Sequence, residues 1–268
     1  MNWRRVKLLL WKDWRGIVSN RDVLLPMLVL PMLLTVVIPG VLLFAIHLPG
    51  AASELEEMAV WIGAPAGTDP ALLAIRFVSE FMMKPLFLVV PTMISSIVAS
   101  DSFAGEKERK TIETLLVLPA TDVELVLGKI LVSLLPSLAV SWVCFSAFGV
   151  VVNAAALGTS AAGAVLVFLD VSWLLEVFLL TPLLAFFSIL VSTLISARAR
   201  SVKAAQGYAG AVALPVFALL FLQLGNVVFL GDLATLLALC AGLASVDAIL
   251  LQLGKRALNR EQLVLSLD

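Results

Sequence analysis

FAGEKERKTIETLLVLP, residues 103–119, places six charges in its first eleven positions, just after PLFLVVPTMISSIVAS, residues 85–100, which carries none. What such a segment does in such a chain decides the fold. A phosphate loop is one candidate, because Gly105 is followed by Lys110 and Thr111. That motif needs a second glycine directly before the lysine, so that backbone N–H groups can close around phosphate, and a strand in front. Arg109 stands where the glycine is needed, and the preceding run is apolar and of membrane type. The charged stretch therefore reads as a link between membrane helices.

The rest of the chain agrees. Of its 268 residues 61% are hydrophobic and only 14% charged, and the mean hydropathy is +1.08. A water-soluble domain has about a quarter of its residues charged, so the solvent here is lipid. A spanning helix needs about 20 mostly apolar residues. Uncharged windows at 23–46, 85–100, 130–169, 177–197, 204–231 and 233–246 supply them. The long window breaks at the small residues 158–163, so it ends one helix, and the next starts near 171 with Glu176 inside it. The prediction is an all-α integral membrane protein with six transmembrane helices at 23–46, 82–101, 125–155, 171–196, 204–230 and 233–254. Long leucine-rich runs without alternation favour helices over a barrel.

Charge placement predicts orientation. Sixteen of the eighteen Lys and Arg fall in the N-terminal segment, the 101–129 and 198–203 links and the C-terminal tail. Only Arg76 and Lys84 fall in the other compartment, and basic residues concentrate on the cytoplasmic side. Both termini are thus expected in the cytoplasm, and 47–81 forms an external loop. Within that loop Ser53 and Glu56 have capping-box spacing, and Thr68-Asp69-Pro70 starts a second helix that runs on through Lys84-Pro85. The N-terminus is too charged for a cleavable signal peptide, so the first helix is an anchor that stays.

Residues 1–20 read as an interfacial amphipathic helix. Trp3, Val6, Leu10, Trp14 and Ile17 share one face, and Arg4, Arg5, Lys12 and Arg15 gather on the other. Such a helix lies flat among headgroups, either as a simple anchor or as a docking surface for a cytoplasmic partner. In the charged link, Ile112, Leu115 and Leu116 share a helical face, and Glu106 precedes Lys110 by four residues, the favoured order for an ion pair. Pro119 closes this helix, and Thr121 with Glu124 opens the next. By itself it is either a solvated loop helix or a docking element.

FAGEKERKTIETLLVLPATDVELVLGKIL resembles the signature of type-two ABC transporter permeases, the membrane subunits of bacterial drug, antibiotic and sodium exporters. The matching positions are Phe103, Ala104, Gly105, Glu106, Lys107, Glu108, Arg109, Thr111, Glu113, Leu115, Leu116, Pro119, Leu127, Gly128 and Lys129. Lys110 departs, standing where glycine is usual. The resemblance extends in outline over the whole chain, through the basic link at 197–203 before a Gly/Ala-rich fifth helix. It implies a permease subunit of an ABC exporter in a bacterial or archaeal plasma membrane, paired with a second copy of itself or a related permease. It also implies a cytoplasmic coupling helix at 104–118, gripped by a separate nucleotide-binding ATPase subunit. The contact set is then Gly105, Glu106, Lys107, Glu108, Arg109, Ile112, Glu113, Leu115 and Leu116. ATP and Mg belong to that partner; this chain binds no cofactor of its own. The alternatives are a haem-export-type permease, or a membrane scaffold or sensor that recruits a partner without transport.

Polar groups inside spans are functional candidates. Glu176 and Asp247 either hold the bundle together or line a pathway, and Gln206 and Tyr208 are further pathway candidates. Gln206, Tyr208, Asn153, Gln223 and Asn226 also suit interhelical hydrogen bonds. The patch Gly207-Tyr208-Ala209-Gly210-Ala211 allows close helix approach or a dimer seam. Cys144 and Cys240 read as buried hydrophobes, and the lone His47 assembles no metal site. Nothing in the sequence suggests nucleic acid as a partner.

Overall fold

A computed structural model describes residues 3–45, 68–108, 122–157, 167–199, 201–225 and 227–257. Among these the chain is all-α, without strands. Six helices are long and apolar enough to cross a membrane: Val23–Ala45, Ala71–Asp101, Leu127–Ala156, Val171–Ser196, Val202–Leu224 and Leu233–Gly254. They are called the first to sixth spans below. The N-terminal helix α1 (Trp3–Ser19) packs beside the third and first spans and defines the α1 end of the bundle; the opposite end is called the far end.

The second span is the spine. It packs on the third, fourth and fifth spans and is largely buried, whereas the first, fifth and sixth spans turn much of their surface outward. Val29, Val41, Phe44, Phe217, Phe221, Leu237 and Ile249 are all exposed on those outer helices. In lipid such side chains are solvated by acyl chains, so close packing and polar contacts must hold the bundle together. Trp173 supplies much of the packing on the fourth span. It is fully buried, with ring centroids 5.3 Å from Phe148, 5.7 Å from Phe145 and 5.9 Å from Phe87. Hydroxyls supply the polar stitches: Ser137 of the third span donates to the Pro91 carbonyl of the second at 3.0 Å.

The helix that leads into the second span starts at Pro70, as the Thr68-Asp69-Pro70 signal predicts, and is capped by Asp69, whose side chain accepts from the Ala71 N–H at 2.9 Å. Residues 71–81, assigned from sequence to the external loop, pack into the bundle instead: Leu73, Ala74, Ile75, Val78 and Phe81 are buried. The physical reason is their apolar content, which has more to gain against the third span than as a cap in water. Part of the apolar stripe of α1 packs on the bundle. Val6 and Ile17 are buried, and Leu10 and Trp14 pack on the same core cluster, while Trp3, Leu8 and Trp11 are exposed beside the cations. The Arg15 guanidinium lies 5.0 Å over the Trp11 ring, within cation–π range. The expected elements around His47, Ser53 and Glu56 lie outside the described residues.

Candidate functional site

The charged link begins where the second span ends, and the helix does not stop at the boundary. It runs from Val89 through Gly105 to Glu108. At this α1 end three helices are tied together by polar contacts. The Ser196 hydroxyl of the fourth span donates to the Ser100 carbonyl at 2.7 Å and accepts from the Ala104 N–H at 3.0 Å. Ser100 and Ala104 are one helical turn apart, so the hydroxyl inserts into the backbone ladder of the second-span helix, a recognised cause of bending. Glu108 accepts from the Val202 N–H at 3.3 Å. Val202 is the first residue of the fifth-span helix, where backbone donors lack intrahelical partners and a carboxylate is favoured. Ala104, Ala199 and Ala205 fill the space between with methyl groups.

Of the predicted contact set, Gly105 is buried at this junction, and a Cβ there would collide with the Asp101 carboxylate. Glu108 is exposed apart from its bond to the fifth span. The side chains of Glu106 and Lys107, and all of Arg109, Ile112, Glu113, Leu115 and Leu116, lie outside the described residues. The third-span helix begins at Asp122, next to the predicted cap Thr121.

Of the four pathway candidates, the three whose side chains are described, Glu176, Asp247 and Gln206, are not brought together. Gln206 is exposed on the fifth span and lines a cavity of about 260 Å³ with Thr92, Met93, Ser96, Ile97 and Ser100. The Ser96 and Ser100 hydroxyls are buried there and have no hydrogen-bond partner among the described residues. The Tyr208 side chain lies outside the described residues. Gly207 and Gly210 would meet nothing within 4 Å if given a Cβ, so these two glycines make no close helix approach among the described residues. Asp247 is buried on the sixth span, and neither of its carboxylate oxygens has a partner among the described residues. Of the interhelical candidates, Gln223 holds the fifth span to the second, donating to the carbonyls of Glu80 at 3.1 Å and Phe81 at 2.6 Å. Asn153 instead donates within its own helix, to the Gly149 carbonyl at 2.7 Å. Asn226 lies outside the described residues. Cys144 and Cys240 are free and buried.

Glu176 sits toward the far end, in a polar knot that the sequence did not announce. Lys84, counted above among the loop charges, is fully buried. Its ammonium is 2.6 Å from Glu80 on its own helix, donates to the Ser172 hydroxyl of the fourth span at 2.5 Å, and lies 5.7 Å from the centroid of the Trp173 ring. Ser172 in turn donates to Asp170. Glu176, one turn beyond Ser172, is fully buried within reach of the charges of Lys84, Glu80 and Asp170, and neither of its oxygens accepts a hydrogen bond among the described residues. The i, i+4 spacing of Glu80 and Lys84 was the available signal; the charge at 84 instead ended an apolar window.

Asp170 precedes the fourth span and caps it, accepting from the Trp173 N–H at 3.0 Å. Burial pushes its carboxyl up, but hydrogen bonds from Ser172 and Trp173, with the Lys84 charge, outweigh that and hold it below the ordinary value of 3.8. A depressed folded-state value stabilises the fold in full above the unfolded value, and that contribution is lost as pH falls through the folded value. Asparagine caps about as well as aspartate, so Asp170→Asn isolates the charge. The thermal stability advantage of wild type over this variant is expected to stay constant from neutral pH down to about 3.8 and to shrink below it; an undiminished advantage around pH 2 refutes the assignment.

Comparison with known proteins adds one positive finding. A family model described as ABC-2 family transporter protein matches residues 8–254, nearly the whole chain. No curated protein matches it.

Proposed function

Because the chain belongs to the ABC-2 family of transporter proteins, and so is a multi-pass membrane permease of an ABC system, we propose that it is the membrane subunit of an ATP-driven exporter. In this reading a separate nucleotide-binding ATPase subunit binds ATP and Mg and grips the coupling helix at 104–118. The α1 end then faces the cytoplasm, with both termini there, in the plasma membrane of a bacterium or archaeon. The chain itself binds no cofactor; its surroundings are membrane lipid, the ATPase and a second permease.

The observation that carries this reading is the continuity of the second-span helix from the bundle core into the charged motif, with Ser196 and Glu108 tying that point to the fourth and fifth spans. A displacement imposed on residues 104–108 would reach three spans through a continuous helix and the contacts of Ser196 and Glu108. The cavity between the second and fifth spans supports a place for the second copy. Gln206 is an exposed polar side chain on a helix of spanning length, and a polar side chain facing acyl chains is costly. A partner seated there would close the cavity into a pathway between the two copies.

Purification from native membranes tests the reading. A co-eluting protein with a phosphate-loop sequence is expected, and ATP hydrolysis should require both polypeptides. A purified chain that hydrolyses ATP alone, or a partner whose hydrolysis ignores this chain, overturns it.

A further inference from the structure

The polar knot has a feature that packing alone does not explain: one buried cation faces three carboxylates, and the most deeply buried of them, Glu176, is the one without a hydrogen bond among the described residues. A buried carboxylate left without a donor is costly, so an arrangement that serves it has something to gain. Lys84 is placed to do so. It already bonds Ser172, and Ser172 and Glu176 are neighbours one turn apart on the same helix. Lysine carries its ammonium on a flexible four-carbon stem that can be re-aimed.

The backbone is built for such a move. Glu80 lies within a π-helical turn, Phe77–Met82, and Glu176 opens another, Glu176–Leu180. A π turn holds one residue more than an α turn, so its conversion re-aims the side chains beyond it by about 100°. The Thr181 hydroxyl, just past the second of these turns, is also buried without a partner among the described residues. Gln223 holds the Glu80 and Phe81 carbonyls of the first turn from the fifth span. Both carboxylates that compete for Lys84 are thus carried on turns that can change register.

We infer that Lys84 is a positioning residue with two alternative carboxylate partners, Glu80 in the arrangement described and Glu176 in a second one, and that the exchange sets how the second and fourth spans close at the far end. The exchange deepens the transport reading, since it supplies the far-end half of a two-state bundle, but the test below needs no nucleotide and no ATPase. It can therefore fail while that reading stands, and the reverse.

Spin labels at Arg76→Cys and Val171→Cys, both exposed positions at the far ends of the two spans, report the separation in the full chain in lipid nanodiscs, with the buried Cys144 and Cys240 replaced by alanine. Wild type and Glu176→Gln are expected to give one and the same distance distribution. Glu80→Gln removes the resting partner and should shift the distribution on the order of 2–5 Å, the range from a helix-interface displacement to a one-turn slip. Glu80→Gln with Glu176→Gln should return to the wild-type distance, which also shows that the loss of Glu80 has not unfolded the chain. Glu80→Asp, which shortens the first partner but keeps its charge, should populate both distances. The inference is overturned if Glu80→Gln superimposes on wild type, or if the double variant shifts as the single one does.

Discussion

Exchanging the charges at Glu106 and Arg109, by Glu106→Lys with Arg109→Glu, or placing aspartate at Leu115, is expected to abolish association with the ATPase subunit while membrane insertion stays at the wild-type level. An amphipathic helix held in a groove draws its affinity from apolar anchors and its register from paired charges. In the proposed reading Ile112, Leu115 and Leu116 serve as the anchors, and Glu106, Lys107, Arg109 and Glu113 set the register. Leu115→Asp forces a carboxylate into an apolar site that offers it no partner. The double reversal sets like charges opposite one another, and disrupting a desolvated charge pair costs about 2–5 kcal/mol, or roughly 30-fold to several thousand-fold in affinity. Insertion is unaffected because these residues lie between spans. Pull-down of the ATPase and nucleotide hydrolysis by the complex check the expectation; wild-type hydrolysis in both variants would mean that the partner grips some other part of the chain.

Much of the architecture was legible because lipid imposes a simple rule. A helix that crosses it must be apolar for about 20 residues, and six windows of that kind became six helices in the order expected. Local chemistry was also readable: Asp69 with Pro70 starts a helix as its residue types suggest, and the third-span helix begins beside Thr121. The stripe on α1 was readable as a stripe, but a stripe does not say whether lipid or protein will cover it. Here Val6 and Ile17 found the bundle.

What stayed hidden depends on contacts between helices distant in sequence. A lysine ends a hydropathy window because, alone in lipid, it is costly. Lys84 is not alone, since Ser172 and Trp173 arrive from a helix 88 or more positions later in the chain, and Glu80 closes the pair from its own helix. Removing Lys84 from the loop count leaves Arg76 as the cation of that compartment, so the charge asymmetry that predicts orientation becomes steeper. Ser196 was hidden for a related reason. Its hydroxyl enters the ladder of another helix, whereas most serines in these spans, such as Ser95, Ser141 and Ser188, bond a carbonyl of their own. Residue type and spacing are the same in both cases; the neighbouring helix decides. The charged segment at 103–119 lies at the other extreme, a pattern of residues whose proposed partner is a separate molecule.

Lys84→Met should be among the most damaging single substitutions in the bundle, because it removes the cation and leaves the anions. Methionine matches the lysine stem in length and flexibility, so the packing under Trp173 and Phe87 survives and the electrostatic loss stands nearly alone. Three carboxylates then remain around the site: Glu80, whose side chain keeps some exposure, Asp170, which retains the Trp173 N–H, and Glu176, which has no hydrogen-bond donor among the described residues. Breaking a buried pair by deleting one member costs about 3–5 kcal/mol, because the remaining charge is left unpaired in a medium that cannot solvate it. The same logic predicts the rescue. Neutralising Glu80 and Glu176 as well, as Lys84→Met with Glu80→Gln and Glu176→Gln, should recover most of the lost stability, since the carboxylate that remains, Asp170, keeps the Trp173 N–H as its own donor. Thermal unfolding of the full chain in detergent, followed by the fluorescence of the buried Trp173 region, distinguishes the two variants. If Lys84→Met melts with wild type, the ammonium is not the keystone of the knot. If the triple variant melts no higher than Lys84→Met, the damage comes from lost packing, and the charges of Glu80 and Glu176 are not its cause.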